Sequence, residues 1–308
     1  PVVMVHGLWS SPMTWIHMFN DLRASADIHN NYQFWFYSYP TGQPFWLSAR
    51  QMREDLAQVR RELDPRGDSE SLDQMILVGH SMGGLVSTLQ AMDSGQAFWE
   101  MVSDERIETF TGDEATLQKL RDTFYFTPSP SIRRVITIAS PFAGSDFASA
   151  ATRWVSQKMF TLPESETQSW KKIAQKNRGR LKDSVMLTSA TSLDSLAPKA
   201  AVFAAMKSAE TSRSVTFHNI YGRIPKRQLI SFGRESEFQG DGVVSLQSAE
   251  TSRAVSQVAV PAEHSQVHQH PACIYEVHRI LLQNLVELDR IRDRFIPQLL
   301  QDTADVGS

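Results

Sequence analysis

The chain has 308 residues, of which 41% are hydrophobic and 21% charged, and its 31 Lys and Arg against 34 Asp and Glu give a net charge of -3. That balance leaves no basic excess to neutralise phosphates, which excludes nucleic acid as an expected partner. The mean hydropathy is -0.30, and the longest unbroken apolar run, Ala200 to Met206, falls far short of the roughly 18 residues of a membrane-crossing helix. The single cysteine, Cys273, rules out an intrachain disulfide and a cysteine-based metal centre.

In chain order, short apolar or aromatic runs alternate with helical patterns, which predicts an α/β fold: a mostly parallel sheet flanked by helices. Val2 to Val5 reads as a buried strand running straight into His6-Gly7. No basic n-region, apolar h-region or cleavage site precedes it, the pattern expected of a chain trimmed at its start, which leaves room for a removed signal peptide, lipoprotein anchor or further domain and leaves the compartment unread. A helix is expected from Ser11, with Pro12 at its first position and Trp15, Phe19 and Leu22 on one face. A strand at Tyr32 to Tyr39 follows. The next helix is expected to be capped by Ser48, to carry Ala49, Met52, Leu56, Val59 and Leu63 at helical spacing, and to end at Asp64-Pro65-Arg66-Gly67. Further strands are expected at Met75 to Val78, Val135 to Ala139, Val215 to Tyr221 and Val255 to Val260. Ile274, Val277, Leu281 and Leu285 stripe a last long helix, in which His278 is expected to be packed.

Two stretches interrupt the alternation. One, about 93–131, starts with Phe98, Trp99 and Met101 and ends with Phe124-Tyr125-Phe126; the other, about 147–213, carries Trp154, Met159, Phe160 and Trp170. Both are expected to form a helical lid or cap on one catalytic domain spanning residues 1–308. The hexapeptide Ser-Ala-Glu-Thr-Ser-Arg stands at Ser208 to Arg213 and again at Ser248 to Arg253, each time ahead of a strand, too short a match to mark a repeat architecture.

The chemistry concentrates at Gly79-His80-Ser81-Met82-Gly83, a Gly-x-Ser-x-Gly turn between a strand and a helical stretch. Such a turn lifts the serine clear of the sheet at the positive end of a helix. A hydroxyl needs a base to take its proton, and the oxyanion it creates needs N–H donors already in place. The backbone N–H groups of Leu8, at the end of the first strand, and of Met82 are the expected oxyanion donors. The expected chain order is serine, acid, histidine, which directs attention away from His6 to Glu263-His264-Ser265-Gln266-Val267-His268. His264, the first histidine past the last strand, is the expected base, with His268 the alternative. Asp241, in the loop Gly240-Asp241-Gly242, is the expected acid, with Asp146 the alternative. A metal site on His264, His268 and His270 is disfavoured because no carboxylate stands at motif spacing and no cysteine is available. Trp9, Trp46 and Phe142 are candidates to line an apolar substrate pocket.

These residues resemble the α/β-hydrolase superfamily, in particular its bacterial lipase-like serine esterases. The resemblance is carried by Val5-His6-Gly7-Leu8, the Gly-His-Ser-Met-Gly-Gly turn, Ile138-Ala139-Ser140-Pro141, Thr191-Ser192-Leu193-Asp194-Ser195-Leu196-Ala197-Pro198 and Gly240-Asp241-Gly242-Val243-Val244. It departs at Ser140-Pro141-Phe142-Ala143-Gly144-Ser145, where such proteins often have Thr-Pro-His-Arg-Gly-Ser. The resemblance implies a serine hydrolase acting on ester bonds, with Ser81, Asp241 and His264 at the triad positions, Leu8 and Met82 forming the oxyanion hole, a small or lipid-like ester as substrate, and no metal or organic cofactor. An acyltransferase using the same residues and a non-catalytic binding protein on the same fold are the alternative readings.

Overall fold

Val-Val-Met-Val at Val2–Val5 (β1) is buried at every position, as a strand covered on both faces must be. In the computed structural model, which describes residues 1–145, 164–182, 191–224 and 239–305, β1 is followed by α1 (Ile16–Arg23), α2 (Ala26–Asn31), β2 (Phe34–Tyr37), α3 (Phe45–Leu63), β3 (Met75–His80) and α4 (Met82–Thr88). Then come β4 (Met92–Asp93), α5 (Glu114–Phe124), β5 (Ile132–Ile138), α6 (Glu164–Lys176), α7 (Ser192–Leu196), α8 (Ala201–Ser208), β6 (Glu210–Thr211), β7 (Thr216–Gly222), α9 (Leu246–Ala249), β8 (Ser256–Val260) and α10 (Pro271–Asp305). Six strands form one parallel sheet in the order β2-β1-β3-β5-β7-β8, while β4 and β6 pair separately as an antiparallel ribbon.

Alternate side chains of a strand point to opposite faces, and the core divides accordingly. Val3, Val5, Leu77, Val135 and Phe217 pack with the apolar sides of α3, α4, α5, α6 and α8. Val2, Met4, Ile76, Val78, Ile136 and Ile220 pack with α1, α2 and α10. The chain leaves β1 toward β2 on one side and returns to β3 on the other, so the sheet has a switch point between β1 and β3, where the loops after the strands' C-terminal ends diverge and a ligand crevice opens.

The six strands of the parallel sheet are those read from the sequence, with shifted ends: β5 begins at Ile132, β3 runs on through Gly79 to His80, and Tyr32 and Tyr39 fall outside β2; the two-residue strands β4 and β6 were not expected. Two helix starts differ. From Ser11 the chain first makes a 3-10 turn, Pro12–Trp15, and Ser11 makes no side-chain cap. α3 begins at Phe45 behind Pro44, and Ser48 lies buried inside it, its hydroxyl receiving Gln43 Nε2 at 3.1 Å. The buried stripe of α3 includes Ala49, Met52 and Leu56, whereas Leu63, in its last turn, is exposed. His278 is half-buried.

Phe98, Trp99, Met101, Phe124 and Phe126 of the first interrupting stretch are built into the core on the α3 side. In the second, Trp170 is buried in that same core, while Phe147, Trp154, Met159 and Phe160 lie outside the described residues. The two copies of the hexapeptide meet: Arg253 Nε donates to Thr211 Oγ1 at 3.1 Å. Beneath α10, buried Arg134 of β5 donates to His218 Nε2 and to Glu287, each at 2.6 Å, and to Asn284 Oδ1 at 3.3 Å, tying the sheet to the last helix. Among the described residues no helix is long and apolar enough to cross a membrane.

Candidate active site

The turn after β3 is forced by contact. A Cβ on Gly79 would stand 2.5 Å from the Gly83 carbonyl oxygen, and one on Gly83 would stand 2.3 Å from that of Val5, so neither position accepts a side chain. Between them Ser81 takes φ 53° and ψ -123°, a conformation that costs an L-residue about 1–3 kcal/mol and persists only where the surroundings impose it. Trp9 (φ 55°) and Ala139 (φ 53°) share the left-handed φ. All three lie just past the C-terminal ends of central strands, so backbone strain concentrates at one end of the sheet.

Two loops from farther along the sheet converge on Ser81. His264, in the loop after β8, places Nε2 2.9 Å from Ser81 Oγ and Nδ1 2.7 Å from Asp241 Oδ2. Asp241, in the loop after β7, is buried. Its other oxygen, Oδ1, accepts the N–H groups of Val243 at 2.9 Å and Val244 at 2.7 Å. A carboxylate so placed accepts only, so the imidazole carries its proton on Nδ1 and turns a bare Nε2 to the serine hydroxyl. The His264 N–H in turn donates to the Asp241 carbonyl at 2.9 Å.

The remaining histidines have other partners. His80 and His268 are buried beside His264, their rings 4.4 Å apart. Burial, with the neighbouring His268 and His264, holds His80 well below the ordinary imidazole value. Burial likewise pushes His268, which bonds Thr14 Oγ1 at 2.7 Å, down to about 4. His6 donates through Nδ1 to the Gly7 carbonyl at 3.0 Å and stacks on Tyr39; burial lowers it as well. His270 accepts the Ala272 N–H at the start of α10. His264, His268 and His270 therefore turn to three different partners, and no cluster of three or more metal-binding side chains occurs among the described residues.

Two cavities meet at Ser81. One is lined by Leu8, Trp9, Pro141, Leu193, Leu196 and Val243 among others, with His264 its one ionisable side chain among those described. The second runs past His80 and His264 to Thr14, Glu263 and His268. Of the expected pocket residues, Trp9 lines both. Trp46 is buried in the core against Phe45, and Phe142 is half-buried against that core, its N–H bonded to the Ser248 carbonyl at 2.8 Å; neither lines either cavity. Asp146 lies outside the described residues. Leu193 and Leu196 were not anticipated as lining residues. Their sequence signal is the Thr191-x-x-Asp194 capping box that starts α7.

A parallel sheet with a strained serine turn at its switch point and a histidine and an aspartate delivered by the last two strand loops is the architecture of an α/β hydrolase. The chain belongs to the alpha/beta hydrolase family, whose model matches residues 2–275. Among solved structures, lipase 1 from Pelosinus fermentans is 12% identical with a TM-score of 0.52, over 92% of this chain and 97% of that one. The lipase of Staphylococcus hyicus is 14% identical with a TM-score of 0.50, over 95% and 96% of the two chains. At these identities the likeness is one of fold. No curated protein sequence matches the chain.

Proposed function

We propose that the protein is a carboxylic ester hydrolase, one catalytic domain that works through an acyl-enzyme on Ser81. The observation that carries this reading is the unbroken line from Asp241 Oδ2 through the His264 ring to Ser81 Oγ, with bonds of 2.7 and 2.9 Å. Ser81 Oγ attacks the ester carbonyl as His264 Nε2 takes its proton, and Asp241 stabilises the imidazolium that forms. The N–H groups of Leu8 and Met82 hold the oxyanion; Met82 opens α4, and the first N–H of a helix has no acceptor inside it. His264 returns the proton to the departing alcohol. Water, activated by the same histidine, then releases the acid. The apolar lining of the cavity beside Ser81 suits an apolar acyl chain. Leu193 and Leu196 bring part of the stretch 147–213 onto that cavity, which supports its reading as a cap.

A fluorophosphonate probe should label the wild-type protein and leave Ser81→Ala unlabelled, and turnover of a p-nitrophenyl ester should vanish with the same change. Labelling that survives Ser81→Ala overturns the assignment. Replacing His264 and His268 one at a time should abolish turnover only for His264.

A further inference from the structure

The residue before the serine is one of the two that the Gly-x-Ser-x-Gly turn leaves open. Here it is His80, which is buried. Its Nε2 lies 3.0 Å from the His264 carbonyl oxygen. A carbonyl only accepts, so His80 Nε2 carries the proton and donates it; His80 Nδ1 has no partner among the described residues. The His80 ring also lies 5.2 Å from the ring of His264 and 4.4 Å from that of His268. His268 is anchored through Nε2 to Thr14 Oγ1 at 2.7 Å.

The topology gives this contact its importance. β3 and β8 are not neighbours: β5 and β7 stand between them, and at ~4.8 Å per strand the loop after β8 must reach back ~14 Å to meet the serine. No strand pairing between β8 and β3 sets that reach. The main chain of His264 is instead held on both sides, its N–H by the Asp241 carbonyl at 2.9 Å and its C=O by His80 at 3.0 Å. One of these partners is the acid's own residue and the other is bonded directly to Ser81.

We propose that His80 is a positioning residue for His264: its Nε2–H, donated to the His264 carbonyl, together with its ring packed against those of His264 and His268, sets the distance from His264 Nε2 to Ser81 Oγ. This rests on the reading of Ser81 and His264 as nucleophile and base. It explains why a side chain with both a flat ring and an N–H donor is buried there when an apolar residue would fill the space. It also implies that loss of the donor acts on the chemical step and spares binding in the apolar cavity beside Ser81, because His80 lines the second cavity and not that one.

The test compares His80→Phe, which keeps a ring and removes the donor, with His80→Gln, which keeps an N–H donor and removes the ring. On a p-nitrophenyl ester, His80→Phe should lower kcat about 30- to 100-fold, the scale of a misplacement near 1 Å, with KM within about twofold of wild type. His80→Gln should recover at least about a third of that loss on a logarithmic scale. A wild-type kcat in His80→Phe, a fall expressed in KM alone, or equal losses in the two variants overturns the proposal. If His80→Phe does not unfold cooperatively, the comparison passes to His80→Gln against His80→Asn, whose shorter amide falls short of the carbonyl: the asparagine variant should be the slower, and equal rates overturn the idea. Ser81→Ala separates the two levels. An active Ser81→Ala removes the underlying assignment and this proposal with it, whereas an inactive Ser81→Ala beside an unimpaired His80→Phe removes only the positioning role.

Discussion

Two histidines of this protein have the same tautomer and opposite prospects. His218, on β7, donates through Nδ1 to Ser256 Oγ at 2.7 Å, and its Nε2 receives the Arg134 guanidinium at 2.6 Å. His264 donates through Nδ1 to Asp241 at 2.7 Å, and its Nε2 faces the Ser81 hydroxyl at 2.9 Å. Each imidazole thus holds its proton on Nδ1 and offers Nε2 to a donor. Arg134 cannot release its proton, and burial, reinforced by that guanidinium, pushes His218 down to about 3. Ser81 can release its proton, a carboxylate waits behind the ring, and the His264 side chain is 15% exposed at the meeting of two cavities. The identity of the donor at Nε2 separates a strut from a candidate base.

The sharpest way to break this contrast is Asp241→Asn. The two N–H groups of Val243 and Val244 require an oxygen at the Oδ1 position, which turns the new amide NH2 toward His264 Nδ1. The histidine must then move its proton to Nε2, where it can no longer accept one from Ser81. Ester turnover should fall about 10⁴-fold, while unfolding in urea shifts by no more than about 2 kcal/mol. A variant within tenfold of wild-type kcat/KM would show that the carboxylate does not set the tautomer. The converse change is Arg134→Met, which removes the strut's donor. His218, Asn284 and Glu287 lose their shared partner; Glu287 is 44% exposed and can turn to water, so the cost should be about 2 kcal/mol, read from the urea midpoint, with kcat per folded molecule unchanged.

Legibility in the sequence follows the same division between local and long-range causes. Ser81 is legible because its two flanking glycines, the strand before and the helix after are all local. Asp241 and His264 are legible as candidates because each stands in the first loop past a late strand, but their meeting, with His264 23 residues from Asp241 and 183 from Ser81 in sequence, is a product of the sheet order. Trp9 and Trp46 carry the same side chain near the same sheet end, yet one follows β1 in a left-handed turn and the other lies on the buried side of α3; composition does not distinguish them. Ser48 has the chemistry of a cap, but Pro44 and the apolar Phe45-Trp46-Leu47 start α3 earlier, and the hydroxyl serves Gln43 instead. β4 and β6, two residues each, are too short to show a period. The role of His80 depends on a contact with a carbonyl 184 residues away, for which the motif has no symbol.

A smaller effect is carried by the titration of the buried histidines. The values for His218 and His268, about 3 and about 4, lie below the ordinary 6.5, and His80 shifts the same way. The unfolded chain therefore binds more protons than the folded one between about pH 4 and 6.5. Stability is fully present above about pH 6.5 and is lost as the pH falls through that window. Between pH 7.5 and 5.5 His268 should account for about 1 kcal/mol of the loss, buried as it is with Thr14 of the 3-10 turn bonded to its Nε2 and the His80 ring packed beside it. His268→Gln, with an uncharged side chain that can still bond Thr14, should flatten the dependence of unfolding free energy on pH by that amount, whatever its stability at pH 7.5. The wild-type and variant curves should converge as the pH falls if the variant is the less stable at neutral pH, and curves that stay parallel over the whole window would place the titrating group elsewhere than at His268.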